Sequence, residues 1–186
     1  VRLLLGDASP STVPASLDLR LRWLESYLSL QAGELDGLAN RVALLLARLE
    51  AMPPEQESAF DALAPEEARL LMTEILLLQG SVYMREGDAN AGMDVMTQLR
   101  DEYGETTSAL RSYLIEAAYH GLVGDFVSAQ ATMTRLAEIY PENPLAPQAL
   151  FEAALYCERR GAEFYPQAVV LHLSLIHISE PTRLES

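Results

Sequence analysis

The sequence predicts an all-α fold, an antiparallel helix-pair solenoid incomplete at both ends. Three observations predict it. First, "LLLQGSVYMREGDANAGMDVMTQLRDEYG" (Leu76 to Gly104) aligns with "YLIEAAYHGLVGDFVSAQATMTRLAEIYP" (Tyr113 to Pro141) at a constant offset of 37 residues. The register pairs Gly87 with Gly124, Asp88 with Asp125, Met96 with Met133, Leu99 with Leu136 and Tyr103 with Tyr140. A fixed period in this range is the signature of stacked repeats. Second, both halves of each repeat carry helical spacing: Leu110, Leu114, Ala117 and Ala118 in one, and Phe126, Ala129, Met133, Leu136 and Tyr140 in the other. Third, "EGD" and "VGD" punctuate the halves. Glycine takes the left-handed conformation that ends a helix, and Asp accepts a hydrogen bond from the first turn of the next.

The elements follow in order. Residues 1–16 read as the remnant of a preceding helix (Val1 to Gly6) and a loop, "SPSTVP" at 9–14. Residues 17–52 read as a diverged helix pair broken at Gly33. Leu35, Leu38, Val42, Leu45 and Leu49 form one face of its second helix, and Trp23 packs between helices. Residues 53–68, "PPEQESAFDALAPEEA", read as a linker with a short helix. Residues 69–172 hold about two and a half repeats. "YPENP" blocks continuation of one helix, and Pro147 suits the first turn of the next. In the third copy Tyr156 and Gly161 stay in register, and "GAEFYPQA" inserts two residues that lengthen the turn.

The tail raises a conflict. "VVLHLSLIHIS" nearly alternates apolar and polar residues and is rich in β-branched ones, the best strand pattern in the chain. Yet residues 173–183, "LSLIHISEPTR", match residue for residue the translation of the adapter used in transposase-based sequencing libraries. Composition agrees: Ile occurs at 75, 115 and 139 and then twice in quick succession at 176 and 178. The expectation is a non-native tail at 173–186, with native text ending at His172 inside a helix. That end should expose apolar surface and be frayed or sticky after about Tyr165, because solenoid ends need a polar cap.

The repeat residues resemble the tetratricopeptide repeat family over about residues 67–172. The family's small first-helix residue falls on Gly80, Ala117 and Ala154, and its aromatic on Tyr83, with His120 and Cys157 in the later copies. Its turn glycine falls on Gly87, Gly124 and Gly161, its small second-helix residue on Gly92 and Ala129, and its late proline on Pro141. The resemblance implies a right-handed superhelix whose first helices line a concave groove. It places Glu74, Leu77 and Ser81 in that groove from one repeat, Arg111, Leu114 and Ala118 from the next, and Gln148, Phe151 and Leu155 from the third. Some members clamp a C-terminal carboxylate with Lys, Asn and Arg. The Lys and Asn are missing here, so an extended or helical apolar peptide is the expected ligand. "YPENPLAPQALFEAALYCERRG" is similar to repeats of bacterial envelope proteins, such as the outer-membrane assembly lipoprotein and the periplasmic Tol–Pal coordinator. That similarity favours the periplasm or the outer membrane as location.

Composition narrows the chemistry. The chain is 49% hydrophobic and 22% charged, which suits a packed core. A net charge of −14 argues against nucleic acid and anionic membranes as partners. All 13 basic residues are Arg, and without Lys neither a Walker-type phosphate loop nor a Schiff-base lysine is possible within these residues. One cysteine, Cys157, excludes an internal disulfide and reads as a small core residue. No apolar run reaches transmembrane length. G-x-G-x-x-G, C-x-x-C, H-E-x-x-H and G-x-S-x-G are all absent, and His120, His172 and His177 lack metal-ligand spacing. His120 reads as a packed histidine. The acidic pairs Glu66–Glu67 and Asp101–Glu102 read as helix-end charges rather than a carboxylate dyad.

The functional expectation is a non-catalytic protein–protein interaction scaffold, with no cofactor and no metal, binding a peptide or partner protein as part of a larger bacterial envelope or assembly protein. The alternative is the docking or regulatory region of a multidomain enzyme whose catalytic domain lies outside these residues. A third reading, a catalytic helical-repeat protein, needs converging carboxylates with raised pKa values.

Overall fold

The computed structural model describes residues 14–52 and 63–179, with side chains described as far as Ser174. Eight α-helices, one short 3-10 turn and no strand occur among these residues. The chain divides into two compact units, Val1–Ala109 and Leu110–Ser186.

The first unit contains α1 (Ala15–Ala32), α2 (Leu38–Glu50), α3 (Pro65–Glu86) and α4 (Ala89–Tyr103). Helix α1 ends at Gly33, where the break was expected, and the Gly33 and Glu34 N–H groups donate to the Leu30 and Ser29 carbonyls. Leu19, Leu30, Val42, Leu45, Ile75 and Val82 meet in one apolar cluster, with Trp23 and Tyr27 packed against it. Asp18 ties α1 to α2: its carboxylate accepts from Arg22 at 2.9 Å and pairs with Arg48 at 2.6 Å. Helix α3 begins at Pro65, inside the stretch expected to be linker. Proline at the first helical position, with Glu66 and Glu67 in the first turn, makes the start; the acidic pair does lie at a helix end, as expected, but the helix is a long one rather than the short one expected there. The rest of the expected linker, 53–62, lies outside the described residues, as does the remnant expected at 1–13.

Helices α3 and α4 meet at the two small residues that the repeat pattern singles out. A Cβ added at Gly92 would lie 2.6 Å from Met84 Cγ and 2.9 Å from the Gly80 carbonyl oxygen. One added at Gly80 would lie 2.9 Å from Met96 Cε. The backbones therefore approach at a distance only glycine permits. The turn between these helices is the expected stop and start. Gly87 has φ 94°, its N–H donates to the Met84 carbonyl, and the Asp88 N–H donates to the Tyr83 carbonyl at 2.9 Å. The Asp88 carboxylate then accepts from the Ala91 N–H at 3.2 Å.

The second unit contains α5 (Thr107–Leu122, whose first turn precedes the boundary), α6 (Phe126–Ile139), α7 (Ala146–Arg159), a 3-10 turn (Ala162–Phe164) and α8 (Tyr165–Ser179). The starts of α4 and α6, at Ala89 and Phe126, are 37 residues apart, as the repeat requires. Helix α8 starts 39 residues after α6, and the two extra residues fall in the 3-10 turn. Leu110, Tyr113, Met133, Leu136, Leu150 and Ala153 share one apolar cluster. Tyr113 meets Tyr140 edge-on at 6.4 Å.

The strand pattern of "VVLHLSLIHIS" is not realised: α8 runs through it to Ser179. A helix satisfies its own backbone donors and acceptors, whereas a strand needs a neighbour, and no strand occurs among the described residues. The expected apolar exposure is present. Tyr165, Val169, Val170 and Leu173 are each more than half exposed.

Candidate functional site

Each unit carries its own set of candidate recognition side chains. In the first unit the spacing 74, 77, 81 puts three residues on one side of α3. Glu74 is half-buried, and its Oε1 accepts a 2.9 Å hydrogen bond from the Ser108 hydroxyl. Ser108 is itself buried beside Thr73, whose hydroxyl lies 3.3 Å from it and 2.8 Å from the Leu70 carbonyl. Glu74 is thereby fixed rather than free to swing. Ser81 donates to the Leu77 carbonyl at 2.7 Å, closing its hydroxyl onto its own helix. Leu77 is buried, so contacts from this helix would come through Glu74 and the edge of Ser81.

Glu74 also lines a cleft of about 480 Å³ between α1 and α3, with Arg20, Leu21, Trp23, Leu24, Glu67, Leu70 and Leu71. Arg20 and Glu67 form a 3.2 Å ion pair with both side chains half exposed, and the remaining wall is mostly leucine and Trp23. Trp23 stacks on Tyr27 at 5.7 Å, and its indole N–H is buried without a hydrogen-bond acceptor. A second cleft, of about 280 Å³, lies between α1 and α2 and carries three arginines, Arg22, Arg41 and Arg48, with Glu25. The sequence reading missed both. The available signal was the second apolar edge of α1, where Leu17, Leu24 and Leu28 recur at helical spacing and remain exposed.

In the second unit the same spacing recurs twice. Arg111 and Ala118 are exposed on α5, and Leu114 lies half-buried against the apolar cluster. On α7, Gln148 is exposed, Leu155 is half-buried, and Phe151 is 46% exposed with its ring 5.7 Å from the His172 imidazole. Helices α5 and α7 contact directly where Tyr156 packs over Gly121: a Cβ there would lie 2.8 Å from the tyrosine ring. Burial, helped by the nearby Glu152 carboxylate and opposed by Arg159, raises the Tyr156 phenol above its ordinary value.

His120, Cys157 and His172 have structural partners, and the His177 side chain lies outside the described residues. His120 lies edge-on to Tyr119 at 6.0 Å, with Nδ1 3.6 Å from the Asp125 carboxylate. Hydrogen bonds from the side chain and N–H of Ser128 hold Asp125 below the usual carboxylate range, with a smaller Coulombic pull from His120. Cys157 is buried, and its thiol lies 3.4 Å from the Phe164 carbonyl. His172 lies 3.2 Å from Glu158. Among the described residues no group of three metal-ligating side chains converges, and no helix is long and apolar enough to cross a membrane.

No family model, no curated protein and no solved structure matches this chain.

Proposed function

We propose that the chain is a protein-interaction scaffold of tetratricopeptide-like helix pairs that holds a peptide or partner protein along its first helices. The observation that carries this reading is Phe151. It is a large aromatic left 46% exposed on the first helix of a pair whose other face is closed by Ala146, Ala149, Leu150 and Ala153. On the preceding first helix Arg111, at the position of Gln148, and Ala118, at the position of Leu155, are exposed, while Leu114, at the position of Phe151, is half-buried. An exposed aromatic on one first helix and an exposed arginine and small residue on the preceding one suit an apolar peptide, extended or helical, that carries an acidic group. The envelope or assembly setting rests on the similarity of "YPENPLAPQALFEAALYCERRG" to envelope repeats.

Selection of peptides from a random display library against the whole chain tests this, with affinities then measured by fluorescence anisotropy. The selected peptides should be apolar with an acidic residue, and should bind the Arg111→Glu/Phe151→Ala double variant at least tenfold more weakly. Undiminished binding by that variant would sink the reading.

A further inference from the structure

The cleft between α1 and α2 holds a set of hydrogen-bond donors that the fold does not use up. Its lining recurs at helical spacing on two facing helices, with Arg22, Glu25 and Ser26 on α1 and Arg41, Leu44 and Arg48 on α2. The chain has net charge −14 and only 13 cationic side chains, all arginine. Three of them around a space of about 280 Å³ reverse that charge locally.

Two of the three arginines are held in place. Both oxygens of Asp18, whose side chain is 14% exposed, accept from Arg22 Nε at 2.9 Å, and one of them pairs with Arg48 Nη1 at 2.6 Å. Among the described residues the other nitrogens of these two guanidiniums have no acceptor, and Arg41 has none at all. Ser26 adds a second kind of donor. It is 3% exposed and lines the same cleft, and its hydroxyl has no hydrogen-bond partner among the described residues. A hydroxyl so placed normally bonds to something, often the carbonyl one turn back in its own helix, as Ser81 does with Leu77. Glu25 also lines the cleft and makes no ion pair among the described residues.

We propose that this cleft binds a small phosphate monoester with an apolar body. Asp18 and Glu25 offset two of the three positive charges, so the donor set rather than the net charge selects the ligand. A carboxylate presents two oxygens, which the Arg41 fork alone would satisfy. A phosphate monoester presents three terminal oxygens, and these can engage Arg22, Arg41 and Ser26 together. Leu44, 70% exposed on the rim, gives the ester's apolar body a surface to cover. The site uses neither Arg111 nor Phe151, so it stands or falls apart from the peptide groove.

Calorimetric titration of the whole chain with phenyl phosphate tests this and should give saturable one-site binding. Arg41→Gln should weaken it at least tenfold and Ser26→Ala at least threefold. Arg135→Gln, at an exposed arginine of α6, should leave it unchanged. Leu44→Ala should lower the affinity for phenyl phosphate to that for inorganic phosphate. Benzoate, the same ring on a carboxylate, should bind at least tenfold more weakly than phenyl phosphate. Urea midpoints of the Arg41 and Ser26 variants should match the parent's, because neither side chain has a partner to lose. Absence of saturable binding, an equal loss in Arg135→Gln, or benzoate binding as tightly as phenyl phosphate would overturn the proposal. So would a lowered midpoint in Ser26→Ala, since the hydroxyl would then serve the fold.

Discussion

The turns at Gly87–Asp88 and Gly124–Asp125 close alike, and the turn at Gly161–Ala162 does not. In the first two, glycine sits at φ 94° and 81°, and the next N–H reaches back to the carbonyl five residues earlier at 2.9 Å. The Asp side chain then caps the following helix, at 3.2 Å from Ala91 N and 3.0 Å from Ser128 N. In the third, glycine swings to φ 132° and ψ 168°, and Ala162 offers no capping oxygen. The chain makes a 3-10 turn through Phe164 before α8 can start, with the Arg160 guanidinium 3.8 Å above the Phe164 ring. Two residues set this difference. Glycine alone ends a helix, but glycine followed by Asp ends one and begins the next without spare residues.

The largest effect should come from the contact these turns enforce. Gly92→Val would place a branched side chain against the Gly80 carbonyl oxygen and Met84, neither of which has room. A loss of about 3 kcal/mol is expected, read as a lower urea midpoint. The second pair carries Ala117 and Ala129 at the matching positions and so cannot approach as closely, and a valine tolerated at position 92 would mean that the first pair does not depend on its closer approach either. Next come the turn glycines. Gly87→Ala and Gly124→Ala each force a side chain into the left-handed region, at a cost of about 1–2 kcal/mol. Neither glycine has atoms near its added Cβ, so the cost is purely conformational. Equal losses at the two sites would sharpen the equivalence of the turns, and a loss at one alone would break it. Asp88→Ala removes the cap and should cost about 1 kcal/mol, whereas Asp88→Asn, which keeps an acceptor, should cost much less.

These devices are also the parts of the fold that the sequence made legible. Gly-Asp acts through local geometry, and its effect does not depend on what packs nearby. Small residues at 80 and 92 could be matched to a close approach because they recur at 117 and 129. The start of α3 was equally local, in Pro65, Glu66 and Glu67, but it was hidden inside a proline- and glutamate-rich stretch that resembled a linker. Helix up to His172 was expected, but the helical state of residues 173–179 was illegible for a different reason: alternation scores a strand without asking whether a pairing edge exists. The candidate surface was half legible. The family resemblance named Phe151 and Arg111, and both are exposed, but Leu77, named in the same way, is closed over, and Glu74 is held by Ser108 from 34 residues away, a contact no local pattern encodes. The Trp23 cleft depends in the same way on α1 meeting α3 across the intervening residues.

The smallest expected effect separates the two capped turns from each other. Tyr83 stands near Asp88 where the repeat puts His120 near Asp125. Hydrogen bonds from Ser128, aided by His120, lower the Asp125 pKa from its ordinary value of 3.8. As the pH falls, the unfolded state takes up this proton before the folded state does. The cap's contribution is therefore complete above about pH 4 and is lost below it, as the pH falls through the folded pKa. Asp125→Asn keeps the acceptor but cannot ionise. Its urea midpoint should stay close to that of the parent at pH 7, and should fall less steeply than the parent's between pH 4 and pH 2.5. His120→Tyr, which copies the first turn, should flatten the same limb only slightly, because the hydrogen bonds from Ser128 are the larger cause. If His120→Tyr removed as much of the slope as Asp125→Asn, the imidazole rather than the cap would control the turn, and the two turns would differ in kind.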